Sequence, residues 1–291
     1  MKTILATTDF SEYSLNAVEY AADFAVDVNA QLIILNAIPA PIAQNDGPMS
    51  ENAIQDIFDA SNRGLNELVR KIKLRTKEKI SVSSHSSIGS AGSQIRLVAD
   101  RVKPIAIVMG ITPGKNFERN ILGSAVFETI NLNQTPVLII PDRVSYQQIR
   151  KIGFASDLEK VSSCTPFSVI REWLAFFEAS LNIVYVTLNH HEFASGRVSE
   201  SLDLQNHFQS VDPVFSFVSG TNLSDELNEF AHKNALDLLI VVPKNHGISG
   251  ILQHKHSRKL ITHSKIPILA VHEVKADFKK AETLHGTEIS H

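Results

Sequence analysis

The stretch Ile105–Ile140, IAIVMGITPGKNFERNILGSAVFETINLNQTPVLII, returns in altered form at Leu238–Val271, LLIVVPKNHGISGILQHKHSRKLITHSKIPILAV. Gly110, Gly114 and Ser124 of the first fall on Pro243, Gly247 and Ser257 of the second. The second is shorter past that point, so Pro136 pairs with Pro267. Upstream, KTILATTDFSE (Lys2–Glu12) matches KIGFASDLEK (Lys151–Lys160), with Asp9 on Asp157. The register shifts between matches, so loops differ in length while elements keep their order. That pattern belongs to a duplicated domain rather than a short-period solenoid.

Both segments open on an apolar run (IAIVMG, LLIVV) and close on another (PVLII, PILAV), with a helical stretch between them. Working outward, Ile4–Thr8 reads as a strand, and Ser11–Val26 as a helix with Leu15, Val18, Ala22 and Ala25 at helical spacing. Gln31–Ala37 is a nearly continuous apolar run, the signature of a strand buried on both faces. A loop at Pro39–Pro48, a long helix over Ser50–Lys77, a weak strand at Ile80–Ser84 and a helix over Gln94–Val102 follow. Ile105–Gly110, Ser124–Leu132 and Val137–Ile140 then give strand, helix and strand. The second half is expected to repeat this at Ile152–Ala155, Pro166–Ala179, Asn182–Thr187, Val214–Val218, Ser224–Asn234, Leu238–Val242, Arg258–Thr262 and Ile268–Val271. Strands separated by helices imply right-handed crossovers and parallel sheets. The expected fold class is therefore α/β, with two tandem open parallel-sheet domains. Their expected bounds are 1–145 and 146–274, joined at a polar Asp142–Gln148, with a charged tail at 275–291.

The chain has 291 residues, 43% of them hydrophobic and 20% charged, which suits a folded globular protein of two ordinary domains. No run reaches the ~18–20 apolar residues that cross a bilayer, so no membrane is expected. The start, MKTILATTDFSEYS, meets Asp9 too early for a secretory segment. One cysteine, Cys164, permits no internal disulfide and fits a reducing cytoplasm. A net charge of −3 gives no electrostatic reason to expect nucleic acid.

Open α/β sheets bind ligands at the carboxyl ends of their strands. In the first half that edge collects Thr8 and Asp9, Ala37, and Met109 with Gly110. The loop beyond carries Gly110, Gly114 and Gly123 before Ser124 and Ala125 at a helix start. Glycines let backbone N–H groups approach phosphate, and the helix N-terminus favours negative charge. Lys115 and Arg119 add positive charge, and Asp9 suits a Mg²⁺ bridging phosphate oxygens. An equally simple reading makes Asp9 a cap for the first helix and the glycines mere turn formers.

TILATTDFSE, the strand ending LNAIP, and IVMGITPG…NILGSAVFETI…TPVLIIP together resemble the universal stress protein family, and the likeness extends over both halves. The resemblance implies a tandem member with an adenine-nucleotide α-hydrolase-like, Rossmann-like fold, its halves forming a pseudo-dimer. Nucleotide-binding members carry G-x2-G-x9-G-[S/T] after strand four and an Asp at the end of strand one. Here Gly110 and Gly123-Ser124 hold the outer positions, while Pro113 takes the middle one and Gly114 follows it. Asp9 fills the acidic place and Ala37 the place of backbone contact with adenine. The resemblance thus implies ATP, ADP or AMP, with Mg²⁺, in a regulatory stress-response module that meets a protein partner and forms a homodimer through last-strand edges. In the second half Pro243 and His256 replace glycines, so that site is expected to be degenerate, with Asp157 as a helix cap.

Other residues are weighed more briefly. His85 stands alone in the first half, and the other eleven histidines lie from His190 onward. His190-His191, His254, His256 and His263 lack the usual zinc spacing, so no metal site is assigned. Cys164 lies near an expected helix start, and Trp173, Phe176 and Phe177 are expected in the core. No P-loop, G-x-S-x-G or H-E-x-x-H motif is present, so no catalytic residue is assigned and at most slow ATP hydrolysis is expected. The alternatives are an interaction or assembly module without nucleotide, or a different small ligand in the second half at His246, His254 and His256.

Overall fold

A computed structural model describes residues 1–40, 51–111, 124–187, 195–243 and 254–273. The first half runs β1 (Lys2–Thr7), α1 (Glu12–Asp27), β2 (Ala30–Ile38), α2 (Glu51–Arg75), β3 (Val82–Ile88), α3 (Ala91–Val102), β4 (Ala106–Gly110), α4 (Ser124–Leu132) and β5 (Val137–Ile140). The second runs β6 (Lys151–Ser156), α5 (Val161–Cys164), α6 (Phe167–Phe177), β7 (Ser180–Thr187) and α7 (Ser195–Phe208). It continues through β8 (Val214–Ser219), α8 (Leu223–Lys233), β9 (Leu238–Val241), α9 (His254–His263) and β10 (Ile268–Ala270).

All ten strands join one sheet in the order β3-β2-β1-β4-β5-β10-β9-β6-β7-β8. Each half therefore lays its strands in the local order 3-2-1-4-5, the two being related head to head. Every pairing is parallel except the one at the middle, where β5 and β10 run antiparallel with Leu138 opposite Leu269. Both last strands are thus interior to the sheet. The expected homodimer through last-strand edges is corrected here: those edges pair with each other within one chain, and no last-strand edge remains for a second copy.

Helices cover both faces, as parallel strands without a polar side require. α1 packs closely because its inward stripe is small: Ala17, Ala21, Ala22 and Ala25 have no exposure. On that face the core crosses the midline. Phe24 of α1 lies 5.7 Å from the rings of both Trp173 and Phe177 of α6. Tyr146 meets Tyr20 edge-on at 5.1 Å and donates to Asp27 at 2.5 Å. Asn16 donates to the carbonyls of Pro141 and Val144 at 3.3 and 3.2 Å. On the opposite face Arg258 of α9 lies 4.4 Å from the Phe127 ring of α4.

The expected polar joint at 142–148 is partly packed. Its Val144 and Tyr146 pack on the shared core, and Ile149 just beyond is buried. Trp173 and Phe177 are core as expected, whereas Phe176 is partly buried with the Lys2 ammonium 4.2 Å from its ring. α7 was not expected at all. Only four of its residues (Val198, Leu202, Leu204 and Phe208) are large and apolar, and only Leu204 and Phe208 face the core. β3 begins later than expected, because Ile80 is buried ahead of the strand rather than within it. Cys164 closes the single turn of α5, just before α6 starts at Phe167, near a helix start as expected. The tail at 275–291 lies outside the described residues.

Candidate functional site

Strand order reverses beside β1, which has β2 on one side and β4 on the other. Crossovers leave to opposite faces there, so the carboxyl ends of these strands open into a cleft. Its floor and rim follow from the few residues after β1. The Thr8 N–H donates to the Leu35 carbonyl at 2.9 Å, and the Asn36 side-chain amide donates to the Thr8 carbonyl at 2.7 Å. Phe10 then takes a left-handed φ of 64°, uncommon for a residue with a side chain. Its N–H is held by the Thr8 hydroxyl at 2.9 Å.

Asp9 stands exposed at the mouth. Its Oδ1 accepts the Ser11 N–H at 3.0 Å and the Ser11 hydroxyl at 2.6 Å, an Asx turn. Ser11 is the residue that caps α1, accepting the Ser14 N–H, so the helix-cap reading of Asp9 is corrected. Partial burial pushes the Asp9 pKa up, but the hydrogen bonds from the Ser11 and Ser14 side of the loop outweigh it. The carboxyl stays below its ordinary range and is ionised at neutral pH. Asp9 thus places an ionised carboxylate at the cleft mouth.

The cleft holds about 360 Å³, within the range of small-ligand sites. It brings together Thr8, Asp9, Ala37, Met109, Gly110, Ser124 and Ala125, all named from the sequence. Gly114 and Gly123, with Lys115 and Arg119, lie outside the described residues. The structure adds Tyr13 and Ser14 from the first turn of α1, Leu35 from β2, and Ala91 and Ile95 from α3. Sequence reading passed over the last pair, although Gly89-Ser90 before Ala91 marks a helix start: Ser90 caps α3 by accepting the Ser93 N–H. The result is an apolar floor of Leu35, Ile95 and Met109, a carboxylate on one rim and the start of α4 at Ser124 on the other.

The second half repeats the loop. Leu158 has a left-handed φ of 52°, its N–H held by the Ser156 hydroxyl at 3.1 Å, and the Glu159 N–H reaches Asp157 Oδ1 at 3.2 Å. Asp157 thus shapes an Asx turn, which corrects its reading as a helix cap. The N-cap of α5 is Lys160, which makes no side-chain cap bond. Continuing the strand registers, Tyr185 stands where the first half has Asn36. Arg197 of α7 lies 5.7 Å from the Tyr185 ring and donates to the Asp157 carbonyl and, at 3.0 Å, to Glu159. The cavity beside Asp157, Cys164 and Thr165 holds only about 10 Å³.

Among the described residues no group of three or more His, Cys, Asp or Glu side chains converges as a metal site would. His190, His191 and His246 lie outside the described residues, as do the side chains of His254 and His256.

The switch-point cleft and the doubly covered parallel sheet define an open α/β protein with a roomy cleft in its first half. Residues 1–141 match the model of the Universal stress protein family. Through those residues, just under half of its length, the chain resembles the universal stress protein family. A universal stress protein of Methanocaldococcus jannaschii, MJ0531, is 27% identical over 141 residues, spanning 48% of this chain and 81% of the relative. Across the whole chain, the crystal structure of a universal stress protein from Archaeoglobus fulgidus is similar in fold. Its TM-score is 0.69 at 18% identity, covering 93% of this chain and 98% of that one. A putative universal stress protein of Pseudomonas aeruginosa gives 0.57 at 13% identity, covering 94% of each. Among the described residues no helix is long and apolar enough to cross a membrane.

Proposed function

We propose that the first-half cleft binds an adenine nucleotide, ATP, ADP or AMP, and that the second half serves as a built-in structural partner whose own site is closed. The observation that carries this reading is the contrast between two matching loops, one beside about 360 Å³ and the other beside about 10 Å³. The apolar floor suits a flat base, and the Asp9 carboxylate suits a ribose hydroxyl or a Mg²⁺ already held by phosphate. The start of α4 suits the phosphates themselves. Asp9 supplies only one carboxylate, so the cation would arrive with the nucleotide. On this reading 1–145 and 146–274 are two copies of one unit, and occupancy changes the affinity of a cytoplasmic stress-response module for a protein partner.

Thermal unfolding with and without ATP·Mg²⁺ tests this. A nucleotide at 100 times its Kd stabilises the fold by ~2.7 kcal/mol. No shift at saturating ATP, ADP or AMP would leave an interaction module without nucleotide as the better account.

A further inference from the structure

Ser14 lies in the first turn of α1, buried in the wall of the cleft, and its hydroxyl is tied to three parts of the loop before the helix. Its Oγ stands 3.0 Å from the Ser11 carbonyl, 3.0 Å from Thr8 Oγ1 and 3.3 Å from the Asp9 nitrogen. A hydroxyl has one hydrogen to give, and a carbonyl only accepts. The Ser14 hydrogen therefore goes to Ser11, and its oxygen accepts the Asp9 N–H and the Thr8 hydroxyl. Thr8 Oγ1 in turn accepts the Phe10 N–H, and the Ser11 hydroxyl donates to Asp9 Oδ1. We infer that Ser14 is a positioning residue whose hydroxyl anchors the main chain of Asp9 so that the carboxylate meets the bound nucleotide. This rests on the reading of the cleft as a nucleotide site.

The second half shows that the turn itself does not need such an anchor. There the Leu158 N–H is held by Ser156 as that of Phe10 is by Thr8, and Glu159 reaches Asp157 as Ser11 reaches Asp9. Ser162 stands as far beyond Asp157 as Ser14 does beyond Asp9. It is exposed, and its hydroxyl donates to Asp203 of α7 at 2.7 Å. A left-handed residue and an Asx turn thus form where the matching hydroxyl points to another helix. What Ser14 adds in the first half is a fixed place for residue 9 against α1. The turn of α1 that carries Ser14 is itself seated on the end of β4, where Gly110 leaves room for it. Asp9, exposed at the mouth, is thereby referred to the sheet.

Isothermal titration with ATP·Mg²⁺ on Ser14→Ala, Asp9→Asn and the double variant, each well below its unfolding temperature, tests the inference. Ser14→Ala is expected to raise Kd about tenfold, the scale of one lost hydrogen bond. In the Asp9→Asn background the same change should alter Kd by less than about twofold, because no carboxylate remains to be placed. A role in packing α1 alone would weaken binding equally in both backgrounds. Equal losses in the two backgrounds, or Ser14→Ala binding as tightly as wild type, overturn the inference and leave the nucleotide reading standing. A wild-type chain that binds none of ATP, ADP and AMP overturns that reading and the inference with it. Should Ser14→Ala misfold, Ser14→Cys, close in volume and a weak acceptor, takes its place in the same cycle.

Discussion

Gly110 ends β4 directly beneath the backbone of Tyr13. A Cβ at 110 would stand 2.3 Å from the Tyr13 carbonyl oxygen and 3.0 Å from the Ser14 nitrogen. The glycine is thus fixed by the approach of α1 to the sheet, independently of any phosphate. Because the obstacle is backbone, it cannot rotate away. Gly110→Ala is expected to destabilise the fold by about 1–3 kcal/mol and to push Tyr13 and Ser14 out of the cleft wall. Denaturant titration checks the first effect, and wild-type stability in the variant would contradict the packing described.

Asn36 ties the cleft to its surroundings, donating to the Thr8 carbonyl and accepting the Ser61 hydroxyl at 2.7 Å. It is nearly fully buried. Asn36→Leu removes the donor to the Thr8 carbonyl and leaves the Ser61 hydroxyl with Ser86 alone, at a cost of about 1–3 kcal/mol. The same variant should weaken nucleotide binding, since Asp9 follows the carbonyl it releases. Thermal unfolding and titration of the variant would read the two effects separately.

Fold and cleft were legible in the sequence to different depths. The buried strands declared themselves as apolar runs such as Ile105–Gly110, and the matched Pro136 and Pro267 located the two last strands. Seven of the nine residues named for the cleft line it, because strand ends converge wherever strand order reverses. The helix α7 escaped notice because half of its large apolar residues, Val198 and Leu202, point to solvent and blur the period. With it went Arg197, while the expected degeneracy of the second site rested on Pro243 and His256 in place of glycines. The serine-rich β3 carries β-branched residues only at its ends, Val82 and Ile88, and Tyr146 within a polar joint gave no sign of its partner Asp27.

The shared core predicts that the halves unfold together. Trp173, the only tryptophan, sits in the second half against Phe24 of the first. Its fluorescence should change in one transition that coincides with loss of circular dichroism. Phe24→Ala should cost about 3–5 kcal/mol and shift both probes equally. Two separated transitions would show that the halves are independent.

Acid stability carries a signature of Asp9. Its folded pKa lies below the ordinary value of 3.8, so its loop bonds stabilise the fold above that value. The contribution fades as pH falls through the folded pKa. Asp9→Asn should therefore be less stable than wild type at neutral pH, and the difference should shrink below about pH 3.8. A difference constant with pH would assign the loss to packing instead.

The central claim is that one half of the chain binds nucleotide and the other does not. Isothermal titration with ATP·Mg²⁺ measures it most directly. One site per chain is expected, abolished when Ala37→Trp fills the first cleft and retained when Arg197→Ala opens the second. Two equivalent sites, or a single site indifferent to Ala37→Trp, would contradict it.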